Sequence, residues 1–151
     1  MENVDKIRLA CHRVLGNPNL LPKDGKTFCN IGFYLIISEL GHPILFRHKT
    51  TKEPLTANGM IDVLEQKFEK VSIEKCLNDL MRGYIFVAGA KGNPHGHIAI
   101  IYPTIYQYWS NSYNSFVPFV ANIGKENAIM PLSFAFSRDN KPNIYFLGVP
   151  S

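Results

Sequence analysis

Cysteine is scarce in this chain. The 151 residues carry three, Cys11, Cys29 and Cys76, an odd number with no CxxC spacing. That pattern argues against a disulfide framework and a structural zinc site, and it leaves at least one thiol outside any internal bridge. Long hydrophobic runs are missing too. A membrane-spanning helix needs roughly 18 consecutive apolar residues, and the longest run here, residues 31–37, is interrupted by Gly32. The first residues, Met1-Glu2-Asn3-Val4-Asp5-Lys6-Ile7-Arg8, mix charges of both signs and lack the apolar centre of a secretory signal. A soluble protein with no membrane span and no secretion address is the expectation. Neither sign of charge dominates: 16 basic against 12 acidic side chains give +4, which does not select nucleic acid as a partner. Internal repeats and low-complexity segments are absent. What remains, with 46% hydrophobic residues, suits a single domain over residues 1–151 with its own core.

Helical spacing fills the first half. Val4, Ile7, Cys11, Val14 and Leu15 recur at three- and four-residue intervals and stop at Gly16-Asn17-Pro18. After the turn Pro22-Lys23-Asp24-Gly25, Thr27 can cap a second helix over residues 29–40, apolar enough to be central, which ends at Gly41-His42-Pro43. Residues 47–54 read as a polar loop. Thr56 opens a third helix with Met60, Ile61, Val63, Leu64 and Phe68, and Ser72 a fourth with Ile73, Cys76, Leu77, Leu80 and Met81 inward. From Gly83 onward the chain turns β-rich, with strands predicted at residues 84–88, 97–102, 116–121, 133–136 and 143–147 between Gly, Pro, Asn and Ser clusters. Helices first and strands second is an α+β pattern with an antiparallel sheet.

Cys29 stands at the start of the second helix, where open backbone N–H groups and the helix dipole favour a thiolate. His97 opens a strand in Gly96-His97-Ile98-Ala99-Ile100-Ile101-Tyr102. A thiol nucleophile needs a base within reach, and the base needs a third polar group to orient it. Asn122, in Val120-Ala121-Asn122-Ile123-Gly124, is the candidate, with Asn127 in reserve. An amide can orient the ring without a second formal charge. Each residue has a plain alternative: free cysteine is ordinarily a small buried hydrophobe, and an asparagine before glycine is ordinarily a turn residue. His95 would face the other side of a shared strand, so it is not the expected base. His95 and His97 lack a cysteine or carboxylate at ligand spacing, so no metal or cofactor is expected. Cys11 and Cys76 fall on apolar helix faces and belong to the core. The only tryptophan lies in Tyr106-Gln107-Tyr108-Trp109-Ser110-Asn111-Ser112-Tyr113-Asn114. There Tyr108 and Trp109, interleaved with amides and hydroxyls, suit a sugar or peptide groove, or equally a loop whose rings cover the core.

Taken together, five segments resemble the CHAP and NlpC-type amidases and peptidases of the papain-like superfamily, over residues 24–148. They are Phe28-Cys29-Asn30, Thr56-Ala57-Asn58-Gly59-Met60, Arg82-Gly83-Tyr84-Ile85-Phe86-Val87, Gly96-His97 with its apolar strand, and Val120-Ala121-Asn122-Ile123-Gly124. The resemblance implies a papain-like α+β core and hydrolysis of amide bonds in bacterial peptidoglycan, with Cys29 as nucleophile, His97 as base and Asn122 in the orienting place. It implies action in the periplasm or cell wall, and, by analogy with toxins passed between bacteria, an inhibitory immunity protein as partner. Phe28 alone represents the aromatic or Gln residues that many members carry before the cysteine, and it joins Tyr108 and Trp109 as a substrate-contact candidate. Residues 104–115 are a long insertion relative to the family. Two other readings stay open. One is a non-enzymatic module docking an anionic polymer through Arg47, Lys49, Lys52, Lys67, Lys70 and Lys75. The other is a papain-like acyltransferase.

Overall fold

In the computed structural model, which describes residues 1–151, the apolar spacing of the first half becomes four helices. α1 (Asn3–Leu15) buries Ile7, Ala10, Cys11 and Val14. α2 (Cys29–Glu39) buries Cys29, Gly32, Phe33, Ile36 and Ile37, and α3 (Ala57–Lys67) buries Ala57, Met60, Ile61 and Leu64. Thr56 caps α3 by accepting the Gly59 N–H at 3.1 Å. Ser72 caps α4 (Ile73–Asp79) by accepting the Lys75 N–H at 3.0 Å. Each cap satisfies one donor that a helix start leaves open. The cap expected from Thr27 does not form: Phe28 takes the N-cap position of α2 and no side chain bonds to the first turn.

Eight strands and a short helix complete the fold, the first strand lying between α3 and α4: β1 (Glu69–Val71), β2 (Ile85–Ala90), β3 (His97–Tyr102), β4 (Tyr108–Ser110), β5 (Ser115–Val117), β6 (Phe119–Asn122), β7 (Ala128–Pro131), α5 (Leu132–Ala135) and β8 (Asn143–Gly148). Six of the strands pair antiparallel in the order β1-β8-β2-β3-β6-β7, while β4 and β5 form a separate hairpin. The fold is therefore α+β with an antiparallel sheet. Strand alternation splits the core in two. Ile85, Val87, Ile98 and Ile100 face the side where α1, α2 and α3 pack. Phe86, Ala88, Ala99 and Ile101 face the other, with Cys76, Leu80, Tyr113, Leu132 and Phe136. Burial on both faces is why these strands read as continuous apolar runs. No helix is long and apolar enough to cross a membrane.

Three departures from the sequence reading have physical causes. Residues 133–136 fall in a helical turn, not a strand: buried Leu132 and Phe136 are spaced i, i+4, and Phe134 between them points outward. The run 116–121 divides at Pro118, which has no N–H to continue a ladder; its carbonyl instead accepts the Leu132 N–H at 2.9 Å. β1 and β7 went unforeseen because they are the sheet's two edges, one carrying Glu69 and Lys70 and the other ending in Pro131. Edge strands so marked resist pairing with other chains; β1 has no apolar signature, and β7, Ala128-Ile129-Met130-Pro131, is a short apolar run cut off by its proline.

α2 lies close against the turn after β6. A Cβ on Gly32 would stand 2.5 Å from Cγ1 and 2.8 Å from Cβ of Ile123. In an open helix, Gly→Ala gains about 1 kcal/mol, but overpacking against a stiff β-branched side chain costs about 1–3 kcal/mol. Gly32→Ala is expected to lower stability by up to about 2 kcal/mol in urea denaturation at unchanged m-value. A more stable variant would contradict this packing.

Candidate active site

The site is assembled where the start of α2 meets the start of β3. Cys29, the first residue of α2, is 8% exposed. Its thiol donates to the Gly96 carbonyl at 3.9 Å. The backbone N–H groups of Ile98, Asn30 and Cys29 itself face the sulfur. Burial pushes the thiol above its ordinary value of 9.0, and these three donors draw it only part of the way back. The helix start alone suggested a thiolate; desolvation outweighs it, and the resting group is a neutral thiol.

His97 and Asn122 meet because β3 and β6 are antiparallel neighbours. The imidazole Nε2 and Asn122 Oδ1 are 2.6 Å apart. Asn122 is 5% exposed, and its Nδ2 donates to the Glu126 carbonyl at 2.7 Å. A carbonyl can only accept, so the amide nitrogen must face Glu126 and the amide oxygen must face the ring. In the neutral imidazole the proton therefore sits on Nε2, which donates to Asn122, and Nδ1 keeps its lone pair. Phe136 packs against the ring with centroids 4.8 Å apart. Burial lowers His97 below its ordinary 6.5, opposed by the Asn122 bond, so the ring is neutral at physiological pH. Asn127 does not take this role. Its Oδ1 accepts the Gly124 N–H and its Nδ2 donates to Leu20, both at 2.8 Å, pinning the turn after β6.

Two clefts open here. Cys29 lies in one of about 570 Å³, walled by Lys26, Thr27, Phe28, Asn30, Asn58 and His95. His97 and Asn122 lie in a second of about 410 Å³, with Met130 and Phe134. Thr27 lines both. The sulfur thus rests against the main chain of residues 96–98, while the ring of His97 is held from the β6 side. In the resting arrangement the thiol bonds to Gly96 and not to the imidazole.

Of the expected substrate-contact residues, Phe28 lines the thiol cleft, and Tyr108 and Trp109 line neither. Tyr108 packs edge-on to Phe134 at 5.2 Å, one ring away from the imidazole cleft. Trp109 packs edge-on to Phe116 at 5.2 Å and donates to Asn111 Oδ1 at 3.0 Å. Sequence reasoning missed Phe134, which is 64% exposed; the Leu132/Phe136 spacing was the signal that turns it outward. It also left His95 without a role, whereas β3 begins only at His97, leaving His95 on an exposed loop that lines the thiol cleft. No three His, Cys, Asp or Glu side chains gather in a metal-binding group. Among the basic residues, Lys75 is paired with Asp79 at 2.8 Å. No protein-family model matches the chain, and no curated protein matches it.

Proposed function

We propose that the protein is a cysteine amidase or peptidase with a papain-like core that hydrolyses amide bonds of bacterial cell-wall peptidoglycan. The observation that carries this reading is the His97–Asn122 bond, whose polarity leaves Nδ1 as a free base at the strand start against which the Cys29 sulfur rests. The identity of the substrate rests on the motif resemblance, and Phe28, Phe134 and Tyr108 offer rings for its apolar faces.

The reaction is acyl transfer to sulfur and then to water. As substrate enters, the thiol exchanges its weak contact with Gly96 for the imidazole, a tightening common when a resting site fills. Nδ1 takes the thiol proton while sulfur attacks the amide carbon. The uncapped first-turn N–H groups of α2, among them those of Cys29 and Asn30, hold the oxyanion that forms. Nδ1–H then protonates the leaving amine, the C–N bond breaks, and a thioester remains. Water, deprotonated by Nδ1, hydrolyses it and restores the thiol. Throughout, Asn122 accepts the Nε2–H and steadies the imidazolium without itself gaining a charge. Action in the periplasm or cell wall follows from the substrate. An inhibitory protein covering the clefts would be needed where the enzyme passes between bacteria.

Alkylation tests this reading through its pH dependence. His97 is depressed below 6.5, so the base is neutral above that pH: hydrolysis should rise as pH climbs through the acid range and be level by pH 7. Cys29 is raised above 9.0, so iodoacetamide should label it slowly at neutrality and faster only above pH 9. A standing thiolate–imidazolium pair would instead be labelled rapidly in mild acid. Peptide mapping follows Cys29 and a turbidity assay follows hydrolysis. The two should fall together, and full hydrolysis by protein completely labelled at Cys29 would end the reading.

A further inference from the structure

The segment Thr56-Ala57-Asn58-Gly59-Met60 plays no part in the reaction above, yet Asn58 reaches into the thiol cleft. Its side-chain amide bonds in both directions to the loop that joins β2 to β3. Nδ2 donates to the Gly92 carbonyl at 2.8 Å and to the Pro94 carbonyl at 3.4 Å, and Oδ1 accepts the Gly92 N–H at 3.1 Å. We propose that Asn58 is a positioning residue that clamps this loop and thereby fixes where Cys29 and His97 meet. The catalytic half of the proposal rests on the amidase reading.

The clamp leads directly to the reacting groups. Gly96, at the loop's far end, presses on the same amide: a Cβ there would run into Asn58 Oδ1 and stand 2.8 Å from the Ala90 carbonyl. Only glycine fits, which gives the Gly96-His97 pair a steric reason. The Gly96 carbonyl holds the Cys29 thiol, and the next residue is the base. On the other side, Asn30 Nδ2 donates to the Leu55 carbonyl at 3.0 Å, tying the start of α2 to the segment that opens α3. Two side-chain amides, one from Asn30 to Leu55 and one from Asn58 to Gly92, thus join the nucleophile's helix to the base's strand through α3. Asn58 sits on the second residue of α3, whose start Thr56 caps, so the clamp is mounted on a fixed turn. An amide is required: a carboxylate could accept from Gly92 but would face two carbonyl oxygens with no proton to offer.

Three variants test this: Asn58→Ala, Asn58→Asp, and Ser72→Ala. The last removes the α4 cap, which lines neither cleft, and so controls for loss of stability alone. With the clamp gone, the loop loosens and the reacting groups lose register, so kcat should fall about 10- to 100-fold with KM little changed. At the same time Cys29 becomes less buried, and since burial is the largest cause that holds its thiol above 9.0, iodoacetamide at pH 8 should label it about 3- to 10-fold faster. Falling turnover with rising labelling, absent in Ser72→Ala, is the signature of positioning. Asn58→Asp fills the same volume and keeps the Gly92 N–H bond, so it serves if Asn58→Ala does not fold, with the same two directions expected. Wild-type labelling and kcat in both Asn58 variants would overturn the proposal. Undiminished hydrolysis by Cys29→Ala would overturn the amidase reading separately, and the labelling rates would then still decide whether Asn58 holds the thiol's surroundings in place.

Discussion

Cys29→Ala is expected to reduce peptidoglycan hydrolysis on the order of 10⁴-fold or more, because the proposed route to the thioester has no substitute for sulfur. The magnitude follows from what the rest of the site can do alone. Open N–H groups at the start of α2 and the two clefts could still bind and polarise an amide, but binding and polarisation without a nucleophile recover only a small part of the rate. Loss of fold is not an adequate explanation for such an effect. Cys29 occupies the first turn of α2, with the rest of that helix held by Phe33, Ile36 and Ile37, each 2% exposed or less. Removing one sulfur there costs about 1 kcal/mol, which circular dichroism and thermal melting would register as a small shift. Cys29→Ser keeps the shape more closely and should be nearly as inactive, since a neutral imidazole abstracts a proton from a hydroxyl far less readily than from a thiol. Retained activity in both variants would remove sulfur from the mechanism.

The second large effect belongs to His97. His97→Gln retains an amide N–H able to reach Asn122 Oδ1 and approximates the ring's reach, but it has no basic nitrogen. Loss of general base and acid is worth about 10² to 10⁴ in turnover, and kcat should fall by that factor with KM changed little, because the ring meets the proton in transit more than the substrate at rest. The acid limb of the pH profile should vanish along with it, since that limb reports the imidazole losing its proton below 6.5. The resting geometry makes this an informative variant. The thiol bonds to Gly96, not to the ring, so removing the ring should leave the iodoacetamide rate at Cys29 near that of wild type. A variant with the wild-type kcat and an intact acid limb would show that His97 is only a core residue packed on Phe136.

Much of this arrangement can be read from the chain alone, and the rest is hidden for identifiable reasons. The helices of the first half announce themselves through apolar spacing and through Thr56 and Ser72, whose caps form as expected. The central strands announce themselves because burial on both faces makes them continuously apolar. Cys29 at a helix start and His97 at a strand start are local features, and sequence reasoning could place both. The choice of Asn122 over Asn127 was not local: it depends on the β3–β6 pairing and on Asn127 being held by Gly124 and Leu20, a contact spanning most of the chain. The balance acting on the thiol is hidden for a similar reason. A helix start is visible in sequence, whereas the burial that outweighs it depends on the packing of α2 against β3. The edge strand β1, with Glu69 and Lys70, has no apolar run to reveal it, whereas β7 and the outward turn of Phe134 lie in one apolar stretch, residues 128–136, whose division into a short strand and a helical turn only the fold supplies. Asn58 lay in a segment whose form was recognisable but whose partner, the loop before β3, only the fold supplies.

Mass spectrometry of muropeptides released from purified peptidoglycan by the wild-type protein and by Cys29→Ala tests the proposed nucleophile most directly. Hydrolysis adds one water per bond cut, so wild-type digests should contain fragments paired as a new carboxylate and a new amine, and Cys29→Ala digests should contain none above the untreated control. The same fragments in equal yield from Cys29→Ala, or a wild-type digest indistinguishable from untreated peptidoglycan, would contradict it.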